Sequence, residues 1–378
     1  MNSAIQTKDN NTFESLSPLS KGAILTVVVV ILSMIILLLA EIGVRTRMHI
    51  KYGSFWGFEV RRYDSETGML LPRPNVKRGP IKINSHGFRS PELQPKQQTG
   101  SLRLAFLGGS TTFSAEVSGN EFTWPAIVTR RLQDTYANTV FDYISGAVVA
   151  YNTSDSIKNW NKRVSQHDVD VLFIYHGIND IVLDAYHSAV KEGVLPKDKI
   201  TGSNIPNDIF HKSLLADLVR KNLFILFNKK QTENKPLHVP FNKDLATERF
   251  RYRLKKLVDS AQQSSDLVVL PTFTSKLRAD QTPEEQVVAM ETHSFSVPFY
   301  SKDDLLKALE SYNDVVREYK GAEGVIVLET ADVLAGTAEN FVDSVHFSDK
   351  GSERFGEHIA AELSASPELQ ALISTTSD

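Results

Sequence analysis

Leu102-Arg103-Leu104-Ala105-Phe106-Leu107-Gly108-Gly109-Ser110-Thr111-Thr112 is an apolar run that stops at two glycines and a serine. A run with a single polar position reads as a strand covered on both faces, as in a parallel sheet. Further runs share its character at Val140–Ile144, Val169–Tyr175, Leu267–Leu270 and Val325–Leu328. Helical patterns fall between and after them, at Trp124–Tyr136, Leu245–Gln263, Asp303–Tyr319 and Lys350–Leu363. Buried strands alternating with helices predict an α/β chain, a three-layer α/β/α sandwich around a parallel central sheet. Such sheets bind ligands at the carboxyl ends of their strands. Ser110, Gly146 and Asn179 each follow such an end, so three separate segments are expected to meet at one edge.

A serine hydroxyl is a poor nucleophile until an imidazole takes its proton, and the imidazole needs a carboxylate to hold its tautomer and charge. Asp343-Ser344-Val345-His346 carries both groups, just ahead of Gly351 and the last helical pattern. Spacing alone does not select this pair, because Asp184-x-x-His187 and Asp208-x-x-His211 repeat it in a chain with 10 histidines. Pairs three apart are also ordinary neighbours on a helix surface. Thr112 stands where a Gly-x-Ser-x-Gly elbow needs its second glycine, so the ordinary α/β-hydrolase turn is not expected. No Gly-Lys-Ser/Thr follows to cradle phosphate, and the His and Asp residues lack metal-ligand spacing, so no cofactor and no metal are expected.

With Gly177-Ile178-Asn179-Asp180 after the third run, the chain resembles the SGNH (GDSL-like) hydrolase superfamily from about Asp64 to Leu363. The resemblance implies Ser110 as nucleophile, His346 as base and Asp343 as its orienting partner. It also implies an oxyanion hole built from the N–H groups of Ser110 and Gly146 and the side-chain amide of Asn179. Ile83-Asn84-Ser85-His86-Gly87-Phe88-Arg89 looks like the segment that precedes the serine block in membrane-anchored bacterial members. One departure is that the family's best-known block reads Gly-Asp-Ser, whereas Gly109 replaces the Asp, which is not a triad member. Asp180 is expected to be structural, and His176 to satisfy a backbone carbonyl. Trp124, Tyr151, Trp160, Tyr175, Phe295, Phe299 and Tyr300 lie near the expected site and read as core residues more readily than as sugar contacts.

The chain has 378 residues, 41% of them hydrophobic, enough for one large domain or two small ones. Motifs running from Ser110 to His346 favour one. A net charge of −3, with no Lys/Arg block interleaved with aromatics, argues against nucleic acid as a partner. The absence of cysteine excludes disulfides and thiol catalysis and fits either side of a bacterial membrane. Ala23 to Ala40 is apolar except for Thr26 and Ser33. As a helix these 18 residues span about 27 Å, the thickness of a bilayer's hydrocarbon core. Their 13 Leu, Ile and Val residues favour insertion by about 5 kcal/mol. The run ends Leu38-Leu39-Ala40-Glu41 rather than in a small-x-small cleavage site, so it reads as an uncleaved anchor.

The expected organisation is a disordered tail at 1–21, a transmembrane anchor at 22–44, a stalk and extended lead-in at 45–100, a hydrolase domain at 101–365 with a cap insertion at 181–241, and a tail at 366–378. Lys8 and Lys21 precede the anchor while Arg45, Arg47 and Lys51 follow it, a bias towards a cytoplasmic domain. Long domains translocate regardless of such a bias, and the resemblance favours an extracytoplasmic one. The expectation is a single-pass membrane-anchored serine esterase that removes or transfers an acyl group, acetyl foremost, on an envelope or secreted carbohydrate. Lipid ester or thioester hydrolysis and a non-enzymatic carbohydrate-binding or assembly role are the alternatives.

Overall fold

The computed structural model describes residues 16–52, 60–96, 99–195, 213–216, 218–219, 238–290, 297 and 299–377. The apolar runs become five parallel strands, β1 (Ser101–Gly108), β2 (Val140–Ser145), β3 (Val171–Tyr175), β4 (Leu267–Pro271) and β5 (Val325–Leu328). They lie side by side in the order β2-β1-β3-β4-β5. β1 is buried from Leu102 onward, and β3 and β4 are buried throughout, as continuous apolar runs require when helices cover both faces. Phe106 pairs with Phe173 across β1 and β3, and their rings stack at 4.4 Å between centroids.

The helices of this domain include α2 (Ser110–Phe113), α3 (Trp124–Thr135), α4 (Thr153–Asn159), α5 (Ile178–Lys191), α6 (Lys243–Ala261), α7 (Lys302–Arg317), α8 (Asp349–Ala365) and α9 (Pro367–Ser377), with a short helix at Pro283–Met290 between α6 and α7, all after the N-terminal helix α1 (Pro18–Tyr52). The chain moves one way along the sheet from β1 to β2 and the other way thereafter, so right-handed crossovers place α3 on one face and α4 to α7 on the opposite one. On the first face α3 packs against α8, closely because Gly356 lacks a Cβ that would come within 2.9 Å of the Ile127 side chain. On the second, α4, α5 and α7 pack against α6.

A buried charge network joins these helices. Arg253 of α6 donates through Nε to Asp180 at 2.9 Å and through Nη2 to Asp184 at 2.8 Å, both on α5. Asp180 also accepts from the Thr153 amide and hydroxyl at the start of α4, and Tyr312 of α7 donates to Asp184. Asp180 thus has the structural place expected of it.

The reading of the sequence leaves 366–378 as a tail, whereas Pro367–Ser377 is the helix α9, with Leu369 buried and the Thr376 carbonyl accepting from the Gly100 amide at 2.7 Å. The stretch read as stalk and lead-in also holds more structure than its prolines suggest. With no proline from Glu41 to Tyr52, α1 continues to Tyr52. Two antiparallel hairpins follow, Arg61–Asp64 with Met69–Pro72 and Lys77–Arg78 with Ile81–Lys82.

The chain divides into two compact units, one of Met1–Phe58 with Pro206–Phe224, the other of Glu59–Ile205 with Ile225–Asp378. In the first, Pro18–Arg47 is long and apolar enough to cross a membrane, a test of length and composition that a signal sequence also passes. The Glu41 carboxylate accepts from the Ser213 hydroxyl and the Leu214 and Leu215 amides at 2.8–3.0 Å. Much of the cap expected at 181–241, and residues 1–15 of the tail, lie outside the described residues.

Arg253→Met leaves buried Asp180 without its arginine and Asp184 with only the longer Arg249 contact of 3.7 Å, and is expected to cost about 3–5 kcal/mol. Guanidinium unfolding followed through the buried Trp124 and Trp160 checks this.

Candidate active site

β1 ends at Gly108, and after Gly109 the chain turns into α2, whose first residue is Ser110. α2 is a single turn, too short to satisfy its own last carbonyls. Arg89, fully buried in the lead-in, supplies them with a donor, its Nη1 reaching the Phe113 carbonyl at 2.7 Å and the Ser114 carbonyl as well. Burial pushes this guanidinium down to about 10, still charged at neutral pH. Asn84 folds the lead-in around Arg89 by accepting from the His86 and Phe88 amides and donating to the Pro91 carbonyl.

Asp343 and His346 sit in a tight loop between β5 and α8. Val342 N donates to the His346 carbonyl and Ser348 N to the Asn340 carbonyl, both at 2.9 Å, closing the loop on itself. Gly351 lets α8 begin against it, since a Cβ there would lie 2.0 Å from the Asn340 carbonyl oxygen. Within the loop Asp343 Oδ1 accepts from the amides of Val345 and His346 at 2.9 Å each, and Oδ2 lies 2.7 Å from His346 Nδ1. The other ring nitrogen, Nε2, lies 2.8 Å from Ser110 Oγ.

The electrostatics fix the tautomer. Burial by itself would push the Asp343 carboxyl up, but the His346 ring and the two amides more than offset it and hold it at about 2. An ionised carboxylate only accepts, so Nδ1 carries the proton of neutral His346 and the lone pair of Nε2 faces the serine hydroxyl. For His346, burial works towards a lower pKa, while the Asp343 bond and the charges of Glu116 and Asp343 raise it above its ordinary 6.5. The side chains of His346 and Asp343 keep 19% and 29% of their exposure, so the site opens to solvent on one side.

Asn179 lies in the first turn of α5, just after β3, and its Nδ2 donates to the Tyr151 carbonyl at 2.8 Å. It lies against Gly109, where a Cβ would come within 2.4 Å of Asn179 Nδ2 and 3.0 Å of the Tyr151 oxygen. That contact explains why glycine is suited to the position before Ser110 here, because any larger residue would displace the amide. Gly146 follows β2 in an equally crowded place, 2.9 Å from Val164 Cγ2 by the same measure, and its carbonyl accepts from Asn159.

Other sequence candidates go elsewhere. His187 Nδ1 lies 3.8 Å from Asp184 in the network of α5 and α6, while Asp208 and His211 lie outside the described residues. His176 is buried with Nε2 2.8 Å from the Ser156 hydroxyl, in place of the backbone carbonyl expected for it, and burial pushes it down to about 3. Trp124, Tyr151, Trp160, Tyr175, Phe299 and Tyr300 are buried core residues, and Phe295 lies outside the described residues. Glu116 and the Tyr151 carbonyl are neighbours of the site that no motif announces, while Arg89 belongs to the lead-in segment but its contact with α2 was not foreseen. A polar cavity of about 320 Å³ bordered by Lys96, Asp170 and Asp266 lies at the opposite, amino ends of the strands.

The model of the GDSL-like lipase/acylhydrolase family matches residues 106–354, a stretch that contains Ser110, Gly146, Asn179, Asp343 and His346. Similar solved structures include an acetylxylan esterase from Geobacillus stearothermophilus, 15% identical over 70% of this chain and 96% of that one, with a TM-score of 0.40. A lipase from a goat rumen metagenome is 16% identical over 69% of this chain and 96% of its own, with a TM-score of 0.43. An alpha/beta hydrolase enzyme from the metagenome of Lake Arreo, Spain, is 12% identical over 69% of this chain and 94% of its own, with a TM-score of 0.42. No curated protein matches the sequence.

Titration of His346 by NMR of labelled imidazoles is expected to give a midpoint above 6.5, and Asp343→Asn to bring that midpoint down.

Proposed function

The chain belongs to the GDSL-like lipase/acylhydrolase family and is an ester hydrolase of the SGNH type, and we propose that it is a membrane-anchored serine esterase acting on an acylated carbohydrate of the cell envelope or a secreted one. The observation that carries the catalytic reading is the unbroken line from Asp343 through His346 to Ser110, with contacts of 2.7 and 2.8 Å. In this reading Ser110 Oγ attacks the ester carbonyl carbon as His346 Nε2 takes its proton. The tetrahedral oxyanion is held by the amides of Ser110 and Gly146 and by the second N–H of Asn179. As the intermediate collapses, His346 returns the proton to the departing alkoxide oxygen, leaving an acyl-serine. Water, or a sugar hydroxyl in the transferase case, then gives its proton to His346 and takes the acyl group, and Ser110 is regenerated. Asp343 stays ionised and orients the ring throughout.

The substrate rests on different ground. The apolar helix α1 is read as an anchor that keeps the enzyme beside the envelope, and the partly exposed triad suits a group presented on a bulky acceptor. The domain is placed outside the cytoplasm, against the weak charge bias around α1.

Ser110→Ala and His346→Ala are each expected to lower kcat by about 10⁴–10⁶, with Asp343→Asn retaining more activity and His187→Ala near normal. A fluorophosphonate should label the wild type and not Ser110→Ala; equal labelling of both would end the serine mechanism. Because only neutral His346 accepts a proton, kcat/KM should rise with pH through the raised imidazole midpoint. In a series of model esters acetyl should be preferred, and a preference for long acyl chains would point to a lipid ester instead.

Topology has its own test. Alkaline phosphatase fused after Asp378 is expected to be active and a fluorescent protein fused there dark. The reverse pattern would put the domain in the cytoplasm and remove the carbohydrate substrate.

A further inference from the structure

Tyr151 closes the loop that begins at Gly146. Its ring is buried with Met69, Leu71 and Val148, and its phenol donates to the Leu70 carbonyl at 3.0 Å. Beside it, Arg61 Nη1 donates to the Val149 carbonyl at 2.9 Å. Both contacts come from the hairpin of Arg61–Asp64 and Met69–Pro72, which precedes the sheet in sequence and is fastened to this loop. Between the two tethered residues Ala150 has a φ of 69°, a left-handed conformation that a non-glycine residue keeps only where its surroundings impose it. The turn so made brings the Tyr151 carbonyl back to Gly109 and Asn179, where it accepts one N–H of the Asn179 amide at 2.8 Å.

An amide held at one N–H presents the other in a fixed direction, and a donor aimed in advance at developing charge needs no reorganisation during the reaction. Resting on the reading of Asn179 as an oxyanion donor, we propose that Tyr151 is a positioning residue for that donor and that the hairpin ahead of the sheet is the brace that holds Tyr151 in place. The lead-in then belongs to the catalytic apparatus, acting through a backbone carbonyl rather than by touching substrate.

The experiment is a double-mutant cycle on the full chain in detergent, with 4-nitrophenyl acetate as the ester. Tyr151→Phe removes only the phenol's bond to Leu70. It is expected to lower kcat about 3- to 10-fold with KM unchanged, the loss set by one hydrogen bond. In an Asn179→Ala background the same substitution should change kcat less than about 2-fold, because the group it positions is gone. Equal losses in both backgrounds would overturn the proposal and make Tyr151 a packing residue, and so would an unchanged kcat in Tyr151→Phe alone. Wild-type kcat in Asn179→Ala alone would instead overturn the assignment of Asn179 on which the proposal rests. Arg61→Met, which removes the donor to Val149, should reproduce the pattern and stands in if Tyr151→Phe accumulates poorly.

Discussion

β1 pairs in parallel with β2 on one side and with β3 on the other, and this order obliges the chain to leave β1 in one direction and pass back across it in the other. The loops that follow β1 and β3 therefore part at their carboxyl ends and leave a crevice, with the loop after β2 beside it. Ser110, Asn179 and Gly146 reach that crevice from distant parts of the sequence because of strand order alone. What enforces the order is burial, since strands apolar along their whole length gain most where helices cover both faces.

The crevice is crowded, and crowding does much of the orienting. Gly109, Asn179 Nδ2 and the Tyr151 carbonyl occupy one another's only free space, so the backbone ahead of Ser110 must lack a side chain. On the other side of Ser110, the loop of Asp343 and His346 is closed by its own backbone bonds and by the start of α8. Arg89 completes the frame by satisfying the end of α2 from below. The groups around Ser110 are thus tied to main-chain carbonyls and amides, through Arg89, Asn179 and Asp343.

Two Asp-x-x-His pairs of identical spacing show how environment separates chemistry from architecture. Asp184 is buried and shared by Arg253 and Tyr312, and its histidine lies 3.8 Å away at the rim of that network. Asp343 is partly exposed, meets two amides and the ring of His346, and has no arginine bonded to it among the described residues. The first arrangement ties helices together. The second leaves an imidazole raised in basicity and turned towards a hydroxyl.

The α/β class and all five strands were legible in the sequence, because a strand covered on both faces is a local apolar run and its end is marked by glycine or a polar turn. So were the positions of Ser110, Gly146 and Asn179 at strand ends, and the long apolar stretch of α1. The helices α4, α5, α9 and the short one at Pro283–Met290 were not, since α5 starts inside the motif Gly177–Asp180 and α9 opens on Pro367 in a segment of mixed polarity. Which Asp-x-x-His pair meets Ser110 depended on where the loop after β5 folds, a matter of contacts 236 positions apart. Arg89 stands in a segment the sequence already singled out, but the carbonyls its guanidinium reaches were decided by tertiary structure. The contact proposed for Tyr151 is made by its backbone carbonyl, a group every residue carries, so no choice of side chain in the sequence could announce it.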